Sequence, residues 1–221
     1  TQLFWPFNIK TAFNSIFVID PLYTLPFLFC CIVVLFCKRK SKLRTQFNRF
    51  GLIFSTSYLF STLILKSLAY KKIENELKNQ DIPYTTISSR PSPLNIILWN
   101  ANIDTKENYL ITDYSFFDTQ PIKFKKYPKH REKSDVLTKY LNVQRLIDIS
   151  EGWYIIEQKE GQWYFNDFRF GVIPRKDGTS FFAFSYHLKE KEGKIQVTEL
   201  PKTSREAQFL IQRLWGRIKG N

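Results

Sequence analysis

The sequence predicts an α+β protein: an N-terminal two-helix transmembrane hairpin, then a soluble domain built on a mainly antiparallel sheet with flanking helices. Three observations predict it. Two apolar stretches, Phe17–Cys37 and Phe50–Tyr70, are each long enough to cross a bilayer as helix, which takes about 20 residues. A basic segment lies between them. After Tyr70 the hydrophobic period shortens toward two, in short β-rich runs separated by turn residues.

The segment KRKSKLRTQFNR carries Lys38, Arg39, Lys40, Lys42, Arg44 and Arg49. A short loop this basic reads as cytoplasmic, so the chain after Tyr70 is expected on the far side of the membrane. The division follows: residues 1–72 are the membrane hairpin with an interfacial N-terminal segment, and residues 73–221 an extracytoplasmic domain. Thr1–Ser15 is aromatic and suits the membrane interface. Pro21 fits an early helical position, and Pro26 is expected to kink the first helix.

Helical character continues through KKIENELKNQ and frays near Asp81. Strands are predicted at Tyr84–Ser88, Leu94–Ile103, Tyr109–Phe117 and Ile122–Tyr127. Residues 133–150 space Val136, Leu137, Tyr140, Leu141, Val143, Leu146 and Ile147 along a helix face. Further strands are predicted at Trp153–Gln158, Gln162–Asp167 and Phe168–Ile173, with a turn at Glu160-Gly161. Phe181–Leu188 and Lys194–Thr198 form another pair around Lys191-Glu192-Gly193. A last helix, Ser204–Ile218, has Thr203 or Ser204 as candidate cap.

The net charge of +13 suggests nucleic acid, but its distribution does not. Residues 1–72 hold ten Lys or Arg against one acid, Asp20. The remaining 23 basic residues face 19 acids. The excess therefore flanks the membrane segments, where it sets topology and meets anionic headgroups. The expected partner is the lipid bilayer and not nucleic acid. All three cysteines lie in the first apolar segment, so the domain after it holds together without disulfides.

Asp20 is the candidate for chemistry within the apolar part, because an ionisable group at membrane depth is costly. It stands about as far before Lys38 as Lys66 stands after Arg49. An antiparallel pair of helices would place both about 26 Å from the basic loop. Asp20 and Lys66 can be a structural pair, two residues reaching outward independently, or a site in which Asp20 acts as catalytic acid or metal ligand. His130 and His187 lack ligand spacing. No phosphate loop, nucleophile elbow or HExxH is present. Two compact motifs stand out in the domain. PSPLNIILW runs from Pro91 to Trp99 and includes Asn95; NDFRFG runs from Asn166 to Gly171, with Asp167 and Arg169 on one face if the segment is a strand. Asn95, Trp99, Asp167 and Arg169 are structural or substrate-facing candidates.

TQLFWPF at Thr1–Phe7, NSIFVIDP at Asn14–Pro21, PSPLNIILW at Pro91–Trp99 and DFRFG at Asp167–Gly171, in this order, resemble the YdjM-like family of inner-membrane metal-dependent hydrolases. The resemblance implies a bacterial, multi-pass inner-membrane protein of which this chain is the C-terminal part. Its main metal ligands, including a histidine-bearing segment, would precede Thr1. It carries Asp20 over as a ligand or catalytic acid for a divalent metal ion. Asn14 departs from the family's frequent Asp and so is not an obligatory ligand. The implied reaction is hydrolysis of an ester or phosphoester by metal-bound water. The alternative is a non-catalytic membrane-anchored binding module that recognises a partner or envelope component.

Topology is open to a direct check in a background without the three native cysteines. A cysteine placed at Lys106 should react with an impermeant reagent from outside the cell, and one at Ser41 should not. The reverse pattern would overturn the orientation.

Overall fold

A computed structural model describes residues 12–191, 193–201 and 206–221. The interfacial reading of the first residues and the Thr203 or Ser204 cap lie outside them. The fold is α+β, and all strand pairing is antiparallel.

Helix α1 spans Pro21–Phe36, 16 residues or about 24 Å. It starts later than the apolar run because Asp20 caps it, accepting the Leu22 and Tyr23 amides, with Pro21 in the first turn. Pro26 is accommodated inside the helix. Helix α2 spans Lys42–Asn79, 38 residues or about 57 Å. Ser41 caps it through the Arg44 amide at 3.2 Å. Most of the predicted basic loop is therefore the first two turns of α2, and the true connection is only Cys37–Ser41. Of the two predicted spans, α2 has the length and apolarity to cross a membrane; α1 is shorter.

The two helices pack side by side. Gly51 sits against Cys30, where an added Cβ would lie 3.0 Å from the Cys30 Cβ. Tyr23 meets Tyr58, and Phe29 meets Phe47 edge-on. Their other faces present apolar side chains outward, among them Leu25, Leu35, Phe36, Ile53 and Phe60.

Helix α2 does not stop at Tyr70. Its last turns bury Ala69, Ile73 and Leu77 in the core of the first sheet, with Trp99, Ala101, Ile103 and Leu110. That sheet has the order β1 (Thr86–Pro91), β2 (Leu98–Asp104), β3 (Asn108–Ser115), β4 (Lys125–Pro128). The link from α2 to β1 is held by the Tyr84 hydroxyl, which donates to Glu74 at 2.7 Å. That bond pushes the Tyr84 pKa up to about 12.

The predicted 133–150 helix is broken into α3 (Arg131–Ser134), a 3-10 turn (Leu137–Lys139) and α4 (Leu141–Ile149). Tyr140 is extended, which ends one segment and starts the next. The break lets Leu137, Val143 and Leu146 bury together on the second sheet. That sheet has the order β10 (Lys194–Glu199), β9 (Ser185–Lys191), β6 (Gln162–Asp167), β5 (Tyr154–Lys159). Glu160 and Gly161 both have positive φ, as the predicted turn between β5 and β6 requires. The expected strand Phe168–Ile173 is instead a turn leading into β7 (Val172–Pro174), which pairs only with β8 (Ser180–Phe182).

Tyr109, Ile155 and Phe168 join the two sheets. The Tyr109 ring stacks on Trp153 and Phe168, and its hydroxyl donates to the Gly152 carbonyl at 2.8 Å. Helix α5 (Ala207–Ile218) closes the chain against the first sheet. Arg217 pairs with Asp118, and Ser115 donates to the Ile218 carbonyl. Gly220 follows at φ +92°, where a Cβ would collide with the Phe117 carbonyl.

Leu77→Ala should lower the unfolding free energy of the full chain in detergent by about 3 kcal/mol, since it opens a cavity under a sheet. Leu141→Ala, at an exposed position, should change it little. Equal thermal shifts for the two would contradict the docking of α2 in this core.

Candidate functional site

The candidate residues lie on three parts of the fold: Asp20 and Lys66 on the helix pair, Asn95 and Trp99 at the start of β2, and Asp167 and Arg169 at the end of β6. Asp20 is 1% exposed. One carboxylate oxygen accepts two amides of α1, and the other accepts the Tyr58 hydroxyl at 2.8 Å. The partner of Asp20 is therefore Tyr58 and not Lys66. The two helices do match in depth, but from a different starting point. Measured from the true connection, Asp20 stands as far before Cys37 as Tyr58 stands after Ser41. Lys66 lies two turns beyond Tyr58, about 12 Å further along the axis. There its ammonium donates to the Phe13 carbonyl.

Arg90, at the end of β1, is within electrostatic reach of Lys66. It is half-buried, and its guanidinium stands 5.8 Å from the centre of the Phe170 ring. Burial, then the charge of Arg169, lowers the Arg90 pKa from its ordinary value. The Arg169 guanidinium faces the same ring at 5.4 Å. Asp167 ends β6, and its carboxylate accepts the Arg169 amide and three guanidinium bonds between 2.7 and 3.2 Å. The two residues meet through a turn, not across a strand face. Asn102 of β2 clamps that turn by donating to the Phe168 and Arg169 carbonyls.

Asn95 frames backbone. Its oxygen accepts the Ile97 and Leu98 amides, and its nitrogen donates to the Pro93 carbonyl. These bonds hold Leu94 at φ +66°, a costly conformation for a non-glycine residue. Trp99 is fully buried in the first core, its indole donating to the Ile96 carbonyl. Behind them runs a polar string in which Ser92 donates to Asn100, and Asn100 to Asp113. Burial raises the Asp113 pKa.

Sequence reasoning missed Tyr58 and Arg90. Tyr58 is a phenol in an apolar run, legible only once the helix connection is known. Arg90 directly precedes the proline motif, but nothing along the chain ties it to the distant Phe170.

Among the described residues, no group of three His, Cys, Asp or Glu side chains can hold a metal ion. Asp20 is surrounded by hydrogen-bond donors, so these residues do not by themselves fit a metal centre. His130 is exposed, and His187 stacks on Tyr164 in the second sheet. A separate open cleft of about 340 Å³ lies between the second sheet and the β7–β8 ribbon. Its polar groups Glu157, Asn166 and Ser185 bond one another. Comparison of the chain with protein-family models, curated proteins and solved structures finds no match.

A double-mutant cycle separates the Asp20–Tyr58 bond from its surroundings. Asp20→Asn and Tyr58→Phe should each destabilise the chain, and together less than their sum, with a coupling of about 1.5–3 kcal/mol for a charge-assisted bond. Thermal unfolding in detergent reads it. Strict additivity would show that the bond contributes nothing.

Proposed function

We propose that the chain is the C-terminal part of a membrane-bound metal-dependent hydrolase acting on an ester or phosphoester. In this reading α1 and α2 form a two-helix hairpin of a multi-pass inner-membrane protein, and residues 73–221 lie outside the cytoplasm. One observation carries it. The described segments of the YdjM-like resemblance are distant in sequence, and two of them, PSPLNIILW and DFRFG, come near one another at the end of β1. The start of NSIFVIDP lies next to Phe13, which accepts Lys66. Arg90 directly precedes PSPLNIILW. Arg90 in turn faces Phe170 of DFRFG. The outward apolar faces of α1 and α2 support the membrane placement, because water around them would oppose folding.

Within this reading Asp20 is the residue of the described chain nearest the metal centre, and the other ligands come from residues before Thr1. The domain beside the junction covers the site or selects substrate.

A specific observation favours the second reading, a membrane-anchored binding module. The cap and the Tyr58 bond account for the burial of Asp20 without a metal.

Metal analysis and hydrolysis assays on the full-length protein decide between them. Asp20→Asn keeps size but removes a negative ligand, so the hydrolase reading expects lower metal content and at least about tenfold lower hydrolysis. Unchanged metal content and activity, with reduced stability alone, would leave Asp20 as a cap and overturn its assignment to the centre.

A further inference from the structure

Helix α5 is fixed at its ends and loosely packed between them. At its start the Glu206 carboxylate accepts the Lys176 amide at 3.1 Å. At its end Ser115 donates to the Ile218 carbonyl, and Arg217 pairs with Asp118. Ile218 alone of its residues is buried. Ala207, Leu210, Ile211, Leu214, Trp215 and Ile218 follow the helical repeat and share one face. Leu210 and Leu214, on one border of that face, are half-buried. Ile211 and Trp215, on the other border, are 47% and 58% exposed. Phe117, also 58% exposed, adjoins the end of the helix, where Gly220 packs on its carbonyl. From Ala207 to Asn221 there is no acid, and Arg213 and Lys219 are exposed cations. Lys219 lies one turn after Trp215 on the same border. A lone surface tryptophan needs no explanation, but a basic amphipathic helix with an open apolar border matches a membrane surface.

The fold brings such a surface close. On α2, Leu65 and Ala69 pack in the first core while Ile64 and Leu68, in the same turn, are half exposed. A bilayer that covers Ile64 and Leu68 therefore reaches the level of the first sheet. Helix α2 lies against β1, and β3, which holds the end of α5 through Ser115, stands two strand spacings or about 10 Å across the sheet. We propose that α5 is a second membrane anchor, an interfacial helix that inserts Ile211, Trp215 and Phe117 at the headgroup–acyl boundary and sets Arg213 and Lys219 against anionic lipid headgroups. Aromatic rings favour that boundary, and basic side chains gain from the lipid phosphates. With α2 it gives the domain two attachments, which fix its tilt on the membrane. The inference rests on the membrane placement of α1 and α2 proposed above and needs no hydrolase activity.

The test uses the full chain without its three native cysteines, in nanodiscs whose lipid carries a nitroxide on a shallow acyl carbon. Ile211→Cys bears an environment-sensitive fluorophore. Ile53→Cys on α2 and Leu141→Cys on α4, both at exposed positions, bear it as references. In phosphatidylcholine with phosphatidylglycerol, the Ile211→Cys label should be quenched about twofold or more, as the Ile53→Cys label is, with little loss for Leu141→Cys. Phosphatidylcholine alone should quench the Ile211→Cys label less. Trp215→Ser should lower its quenching, and Arg213→Gln with Lys219→Gln should remove the difference between the two lipids. Should Ile211→Cys misfold, Gln208→Cys on the same border takes its place. A label at Ile211 that stays in water, or one shielded without quenching, as under a second copy or another protein, would overturn the proposal. Equal quenching of Leu141→Cys would do the same. Quenching at Ile53 without Ile211 removes the role of α5 alone. Quenching at Ile211 without Ile53 keeps α5 as a surface anchor and removes the spanning hairpin, and absence at both removes both.

Discussion

The structure depends on the continuity of α2. Nothing in Lys42–Asn79 interrupts the backbone ladder, so one rigid rod carries both an outward apolar surface and the buried face Ala69, Ile73 and Leu77. The first sheet folds onto that face. Wherever the apolar part of α2 resides, the position of the sheet follows with no flexible linker between them. The short helix α1 is a dependent element. It is too short to dock far along α2, and its place is set by the Gly51–Cys30 approach and by the Asp20–Tyr58 bond.

The domain beyond α2 is two antiparallel sheets, and aromatic packing makes them one unit. Tyr109 on the first sheet stacks on Trp153 and Phe168, which flank β5 and β6 of the second. Asn102 then fixes the Phe168–Arg169 backbone against β2. These contacts bring the DFRFG turn to the junction and set Phe170 beside Arg90. An ion-rich junction is thus held by neutral interactions: ring stacking, amide bonds and a helix core. The Asp167–Arg169 pair sits on that frame and does not create it.

Much of the candidate site turns out to be framing. Asn95 organises a tight turn, Trp99 fills the first core, and Asp20 caps a helix. Each is a polar or bulky group whose burial is matched by satisfied hydrogen bonds or packing. Arg90 is held more loosely: its hydrogen bond to the Ser88 hydroxyl is 3.5 Å long, and Asp167 and Glu151 act on it only through their charge.

By itself the sequence determined the α+β class, the change from apolar helix to β-rich domain, and the β5–β6 turn. These follow from local causes: apolar length, period-two alternation, and turn residues at Glu160-Gly161. Tertiary structure decided the rest. Lys42–Arg49 became helix because Ser41 caps it and α1 packs beside it, which moved the partner of Asp20 by two turns. Residues 131–149 broke into three pieces because an extended Tyr140 lets Leu137, Val143 and Leu146 reach one sheet. Phe168–Gly171 turned instead of extending because Asp167 bonds the Arg169 amide and Asn102 holds the carbonyls. Arg90 met Phe170 through the docking of one sheet on the other, a long-range contact that neither charge nor period along the chain encodes, since both describe only near neighbours.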